Sequence, residues 1–305
     1  MRNSLARVAL AISSYRNDEA VLRLLERSFD TDEPRFGAVI VVDSLGTGIV
    51  ATEAAARNWP VKYVNAERNL GSAGNLAVRL DEAARLGLDW CFTVNHDGNA
   101  DPAIAKQLVL CAEKEEHVGA VYPATIYTRA GGRLEAPRRS LRPFSPHRDR
   151  HPDAAADVAW GSSNSALYNL AAVRDGVTVW ADLWMGWEDL AYGWQLEKSG
   201  WRQVRCSHVK VQDDYEYRDI HILGRRFYIA DKPPWYMYYQ IRNLMIIGRR
   251  SGWRAVNRLS LIIRVVGDLL LTAMFKGNRS ERFLLVFKGL RAGLRNETGK
   301  GPLPP

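Results

Sequence analysis

Short apolar runs alternate with helical spacing through the first hundred residues. Residues 8–12, 39–42, 61–64 and 91–94 are rich in β-branched or aromatic side chains and predict strands. Between them, 19–29, 48–58 and 74–86 carry apolar positions at helical spacing among Ala, Leu, Arg and Glu. The βαβαβαβ order predicts a mostly parallel central sheet flanked by helices, with ligands gathering beyond the carboxyl ends of the strands. At those ends stand Ser13, Ser14 and Tyr15, then Asp43, then the stretch 65–69, then Asn95, His96 and Asp97. Any one of these loops would be polar for structural reasons alone; their occurrence together on one edge predicts a site.

The pattern changes from 131 to 151, where six Arg, three Pro and no periodicity predict a long basic loop or lid. A strand-like DVAW, the polar GSSNS and a helix entered through WADLWMGW follow, then a strand at 202–211. Beyond DKPPWYMYYQ the chain reads as helical. This divides it into an α/β domain at 1–232 and a C-terminal helical extension at 233–305. A length of 305 residues, 47% of them hydrophobic, accommodates that plan and excludes general disorder.

Three widely spaced cysteines without a CxxC pair exclude a disulfide framework and a structural zinc site, and fit a reducing, cytoplasmic setting. The short apolar run at the N-terminus predicts a first strand in place of a signal peptide, and no uncharged apolar run is long enough to predict a spanning helix. The net charge of +8 is unevenly distributed: residues 242–300 hold 13 Lys+Arg against Asp268, Glu281 and Glu297, which leaves the remainder slightly acidic. Residues 259–275 and 283–290 interleave apolar and basic positions, a composition suited to lying on an anionic membrane surface, here the inner face of the plasma membrane. Packing on the α/β domain, or on a second subunit in a homodimer, is the alternative. No nucleic-acid module is present, so nucleic acid is not expected as a partner.

VNHDGNAD after the fourth strand begins with the oxygen spacing of a calcium loop, but Pro102 and Leu108 stand where that loop needs Gly and Glu. A different assignment comes from five segments in order: SSYRND, VVDSLGTG, RNLGSAGN, VNHD and WMGWEDLAYGWQLEKSGW, spanning residue 8 to about 210. Together they resemble the family 2 glycosyltransferases, which have the GT-A fold. The resemblance implies an enzyme in which Ser13, Ser14, Tyr15 and Asp43 hold the nucleobase of a nucleotide-sugar donor. Asn69, Gly71, Gly74 and Asn75 would form the loop beside that donor, and Asn95 and Asp97 would make up its N-x-D element. Asp97, with His208, would hold Mg²⁺ or Mn²⁺ on the diphosphate, although Asn95 in place of a first carboxylate leaves one less charge for the metal. Asp189 corresponds to the general base and Glu188 to a residue that orients it or binds acceptor. Trp184 and Trp187 would stack on sugar rings, with Trp194 in the core.

YYQIRN resembles the segment that follows the catalytic domain in bacterial rhamnosyl- and galactofuranosyl-type transferases. Arg242 within it is read as an acceptor or phosphate contact, or as a helix-start ion pair. The processive Q-x-x-R-W element is absent from the sequence. The resemblance therefore implies an inverting enzyme that adds a single sugar, rhamnose from a dTDP donor or galactofuranose from a UDP donor, to a surface polysaccharide or lipid-linked glycan. The missing carboxylate keeps a non-catalytic nucleotide-sugar or glycan binder open. A nucleotidyltransferase ranks last, because SSYRND lacks the glycines that such enzymes carry after strand one.

Overall fold

The computed structural model describes residues 5–30, 35–129, 132–135, 155–213, 217–222, 225–230, 232–252, 262, 265–267, 269–270, 272–274 and 277–301. Seven elements match the alternation in the first hundred residues: β1 (Val8–Ser14), α1 (Asp18–Phe29), β2 (Ala38–Asp43), α2 (Ile49–Ala56), β3 (Val61–Asn65), α3 (Gly71–Arg85) and β4 (Trp90–Asn95). Helix α3 begins three residues before the predicted start, since Gly71 and Gly74 lie inside it. Next come α4 (Pro102–Ala112), β5 (Val118–Arg129), β6 (Gly132–Glu135), β7 (Ala155–Asp157), β8 (Ala166–Asn169) and α5 (Leu170–Arg174). A 3₁₀ turn (Ala181–Leu183), α6 (Glu188–Lys198), β9 (Arg202–Asp213), β10 (Tyr217–Ile222), β11 (Arg225–Ala230), α7 (Tyr236–Arg250) and α8 (Arg279–Leu294) complete the order. The strand expected at DVAW lies slightly earlier, at β7, and the hairpin of β10 and β11 precedes the helical extension. The basic stretch 131–151 lies outside the described residues except for β6, and much of 259–275 does too.

Nine strands form one sheet in the order β3-β2-β1-β4-β8-β5-β9-β7, with β6 beside β5. Strands β1 to β5 and β9 point one way, and β6, β7 and β8 the other. Strand β1 shows why the sheet is covered on both faces. Its Val8, Leu10 and Ile12 pack in a cluster with α1 and α4, whereas Ala9 and Ala11 pack with Leu76, Leu80 and Ala83 of α3. Each buried Leu or Ile contributes roughly 1.5–3 kcal/mol of burial free energy. A parallel strand buried on both faces reads as a continuous apolar run, which is what made β1 visible in the sequence.

Because β2 and β4 flank β1, the chain turns outward on one side and crosses to the other, creating a crevice at the carboxyl ends of β1 and β4. Register then aligns the polar residues. Ser13 pairs with Asn95, Ser14 with Asp43, and Asp43 with Asn65.

Candidate active site

The crevice is built from that edge. The Ser13 hydroxyl donates to Asn95 Oδ1 at 3.2 Å, and Asn95 N–H donates to Asn164 Oδ1 at 3.1 Å. Gly98 is required here, because a Cβ on it would lie 2.2 Å from Asn164 Oδ1. Beneath Asn95 lies Arg79, whose side chain is among the largest fully buried ones. Its guanidinium donates to Ala11 O at 3.3 Å, Val94 O at 3.1 Å and Asn95 Oδ1 at 3.5 Å. Burial pulls its pKa down to about 10, so it stays cationic at neutral pH. A neutral Asn95 over a buried cation gives this edge a positive bias that a carboxylate at the same position would cancel.

Asp43 is buried, with Oδ1 accepting from Leu45 N–H and Oδ2 from the Tyr63 hydroxyl, each at 3.0 Å. Burial, followed by the Asp43 carboxylate, pushes the Tyr63 hydroxyl up to about 12. Asp43 thus fixes the turn at Ser44 and Leu45. Gly46 completes the turn, since a Cβ there would sit 2.1 Å from the Tyr63 oxygen. Ser14 is fully buried and Tyr15 is half-buried at the mouth of the crevice.

In the RNLGSAGN loop the close backbone approach is to protein. A Cβ on Gly71, whose φ is +66°, would lie 2.0 Å from Trp184 O, and Ala73 N–H donates to that same oxygen at 3.1 Å. Asn69 Oδ1 accepts from Gly71 N–H at 2.9 Å, and the Asn75 amide donates to Val42 O and Ser44 Oγ. Gly74 packs its backbone on Leu70.

The base loop lies opposite. Trp187 adopts φ +68° at the start of α6, so that Glu188 and Asp189 occupy a first helical turn, where the dipole favours carboxylates. Asp189 Oδ1 accepts from Ser163 N–H at 3.2 Å, and Ser163 O accepts from the Thr93 hydroxyl at 2.7 Å. The GSSNS segment is therefore a strap across the end of β4, touching Asn95 through Asn164 and Asp189 through Ser163. Glu188 is buried, and among the described residues its Oε2 meets no hydrogen-bond partner. Burial, and then the neighbouring Asp189 charge, push its carboxyl up to about 7.

Two acceptor assignments are corrected. Trp184 is 4% exposed, donates through Nε1 to Asn69 O at 3.2 Å and packs on Tyr239 at 4.8 Å between ring centroids, so its ring faces protein. Arg242 is 0% exposed, with its donors directed at Asn243, Gly299 and Leu183. Trp187 is half-buried and meets Trp160 edge to face.

Asp97 is exposed on the turn after β4, and Asp101, farther along, caps α4 by accepting from Ala103 N–H. His208 is exposed on β9, its Nδ1 3.5 Å from Cys206 Sγ. Among the described residues no three His, Cys, Asp or Glu side chains gather to hold a metal ion, and the Asn95 side-chain oxygen Oδ1 accepts from Ser13 and Arg79. Sequence reasoning missed Arg79, Asn164 and Asn243. Only the polar cluster in GSSNS gave a signal, since a lone Arg or Asn in a helix ordinarily faces solvent.

No protein-family model matches the chain. Galactofuranosyltransferase GlfT1 of Mycobacterium tuberculosis is 31% identical over 107 residues, covering 35% of this chain and 35% of the relative. GlfT1 of Mycolicibacterium smegmatis is 29% identical over 106 residues, 34% of this chain and 35% of its own length. The match thus spans about a third of these curated relatives. Among solved structures, Staphylococcus aureus TarS 1–349 superposes with a TM-score of 0.59 at 13% identity, over 94% of this chain and 80% of that one. A mannosyltransferase from Pyrobaculum calidifontis, in complex with GDP-Man and Mn²⁺, gives 0.55 at 14% identity over 95% and 88%. GalNAc-T7 with UDP, GalNAc and Mn²⁺ gives 0.62 at 11% identity over 96% and 56%. The chain therefore has the fold of GT-A glycosyltransferases and is similar in sequence to galactofuranosyltransferases, in keeping with the family 2 resemblance of its motifs.

Proposed function

We propose that the chain is an inverting glycosyltransferase that moves one sugar from a UDP or dTDP donor, of galactofuranose or rhamnose type, to a hydroxyl of a lipid-linked or surface glycan. The observation that carries this reading is the strap at 162–165, which hydrogen-bonds to the Asn95 backbone at the donor edge and to the Asp189 carboxylate across the crevice. The nucleobase lies against Ser13, Tyr15 and the turn that Asp43 holds, with the buried Ser14 behind them, and the diphosphate meets the positive bias set by Arg79 beneath Asn95. Asp189 removes the proton from the acceptor hydroxyl while its oxygen attacks the anomeric carbon and the C–O bond to the diphosphate breaks on the opposite face. Glu188 holds its own proton up to about pH 7, which leaves the negative charge of the pair on Asp189. If Mg²⁺ or Mn²⁺ binds, Asp97 and His208 are the residues that would hold it, and the ion would supply neutralisation of charge on the leaving diphosphate.

Support for an acceptor at an anionic membrane surface comes from α8. It leaves Leu284, Phe287 and Leu294 exposed beside the exposed Lys288, Arg291 and Arg295. Among the described residues no helix is long and apolar enough to cross a membrane.

A thermal-shift screen of UDP-galactofuranose, dTDP-rhamnose and the free nucleotides, with and without Mn²⁺, tests the donor assignment. One donor is expected to raise the melting temperature, with part of the rise surviving EDTA because Arg79 supplies positive charge without a metal ion. No shift with any nucleotide would refute it.

A further inference from the structure

The loop between the 3₁₀ turn and α6 is held from outside the α/β domain. The carbonyl oxygens of Leu183, Met185 and Gly186 converge on one side chain, the Asn243 carboxamide, whose nitrogen lies 3.0, 2.8 and 2.8 Å from them and shares its N–H donors among the three. Arg242 Nε donates to Asn243 Oδ1 at 2.9 Å, which sets the amide so that its nitrogen faces the loop, and another Arg242 nitrogen donates to Leu183 O at 2.7 Å. Both residues are 0% exposed. Around them, Arg242 donates to Gly299 O, Gly299 N–H donates to Asp182 O, and Arg250 pairs with Asp182 through both guanidinium nitrogens. The 3₁₀ turn and the loop after it are thus gripped between α7 and the chain's C-terminal segment.

The grip is applied where the backbone is least content. Trp184, Gly186 and Trp187 all have positive φ, at +61°, +85° and +68°. Non-glycine residues hold such conformations only when their surroundings over-determine them. The residues that follow at once are Glu188 and Asp189.

We propose that Asn243, oriented by Arg242, is a positioning residue for Asp189: by tying the carbonyls of Leu183, Met185 and Gly186 to α7 it holds the backbone turn that aims the base. The proposal rests on the reading of Asp189 as general base. It also makes the C-terminal extension part of the active site's construction, so that α7 determines turnover without touching substrate.

Sugar transfer, with the donor that the thermal-shift screen identifies, and UDP affinity are measured for wild type, Asn243→Asp, Asn243→Ser and Asp189→Asn. Each is assayed at a temperature where circular dichroism shows it folded. Asn243→Asp keeps the shape and loses the amide donors; its kcat is expected to fall at least about tenfold with UDP affinity within about threefold of wild type. Asn243→Ser retains one O–H donor and should recover part of the loss. Wild-type kcat in folded Asn243→Asp overturns the proposal, as does a fall in kcat matched by an equal fall in UDP affinity, the mark of general loosening. Should Asn243→Asp not fold at any temperature, the same criteria apply to Asn243→Ser, for which a wild-type kcat is the overturning result. Wild-type transfer in Asp189→Asn would instead remove the base assignment, and with it the proposal that Asn243 positions a base.

Discussion

The edge formed by β1, β2 and β4 and the loop that leads into Asp189 at the start of α6 face the same crevice but are held in different ways. At the edge, parallel pairing sets the positions: Ser13, Asn95, Ser14 and Asp43 stand side by side because backbone ladders put them in register. In the base loop, side chains distant in sequence set the positions, with Asn243 reaching carbonyls 57 to 60 residues away. A ladder distributes its hold over many bonds, so losing one side chain shifts it little. A clamp concentrates its hold in one or two buried groups, whose loss leaves several carbonyls unsatisfied. The donor side is therefore expected to tolerate substitution of its exposed polar residues, and the base side to be sensitive at sites that never meet substrate.

The contact between the two regions is where the comparison breaks most easily. Gly71→Ala would drive a Cβ to 2.0 Å from Trp184 O at a φ of +66°, pushing the donor loop off the base loop. A loss of roughly 3–4 kcal/mol is expected from overpacking and backbone strain combined, read by urea unfolding. Gly48→Ala is the control at the same readout: its φ is +78° with nothing within 4 Å of the added Cβ, so only the strain, about 1 kcal/mol, should appear.

The next effect sharpens the base side through pH. Glu188 holds its proton to about 7 in the folded protein because it is buried and sits beside Asp189. Its pKa is thus raised above that of the unfolded chain. Below the unfolded pKa of about 4.3 both states are protonated and nothing is lost; as pH rises toward 7 only the unfolded chain ionises, and stability falls. Urea unfolding at about pH 5 and about pH 8 should show this group's contribution as a fall of roughly 2–3 kcal/mol. Glu188→Gln should flatten it, and an unchanged slope in that variant would show that the carboxyl is not held neutral.

A smaller change is expected at the donor side. Arg79→Met removes the donor that serves Ala11 O, Val94 O and Asn95 Oδ1, but it also relieves the desolvation of a buried cation. These oppose one another, leaving a net loss of about 2 kcal/mol. Nucleotide affinity measured in EDTA should fall further than stability does, because the positive bias under the diphosphate is gone. Equal nucleotide affinity in wild type and variant would show that Arg79 only packs.

What could be read from the sequence follows the same division. β1 and β2 announced themselves through apolar runs ending in polar residues, and those ends do line one crevice. Strand β5 was not foreseen because Gly119 and Pro123 interrupt its run of β-branched and aromatic residues, and the hairpin of β10 and β11 because charged residues interrupt its short apolar stretches. In the site, the acidic pair Glu188 and Asp189 was legible as the opening of a helix, and that is where α6 begins; the reading of Asp189 as a base came from the family resemblance alone. Arg79 was not legible, because a single Arg on α3 gives no local sign that it points into the sheet. Trp184 and Arg242 were misassigned for a related reason: an aromatic or a cation near a site suggests a ligand contact, while tertiary packing turned both inward. Asn243 carries its meaning entirely in carbonyls brought to it by the fold.

The most direct test is Asp189→Asn, assayed for transfer and for donor binding in the same preparation. Asn keeps an oxygen that can accept from Ser163 N–H and removes the capacity to take a proton. Transfer is expected to fall by about 10²–10⁴-fold with donor affinity within about threefold of wild type. Wild-type turnover in that variant would contradict the assignment of Asp189 as the base and the reading of the crevice built around it.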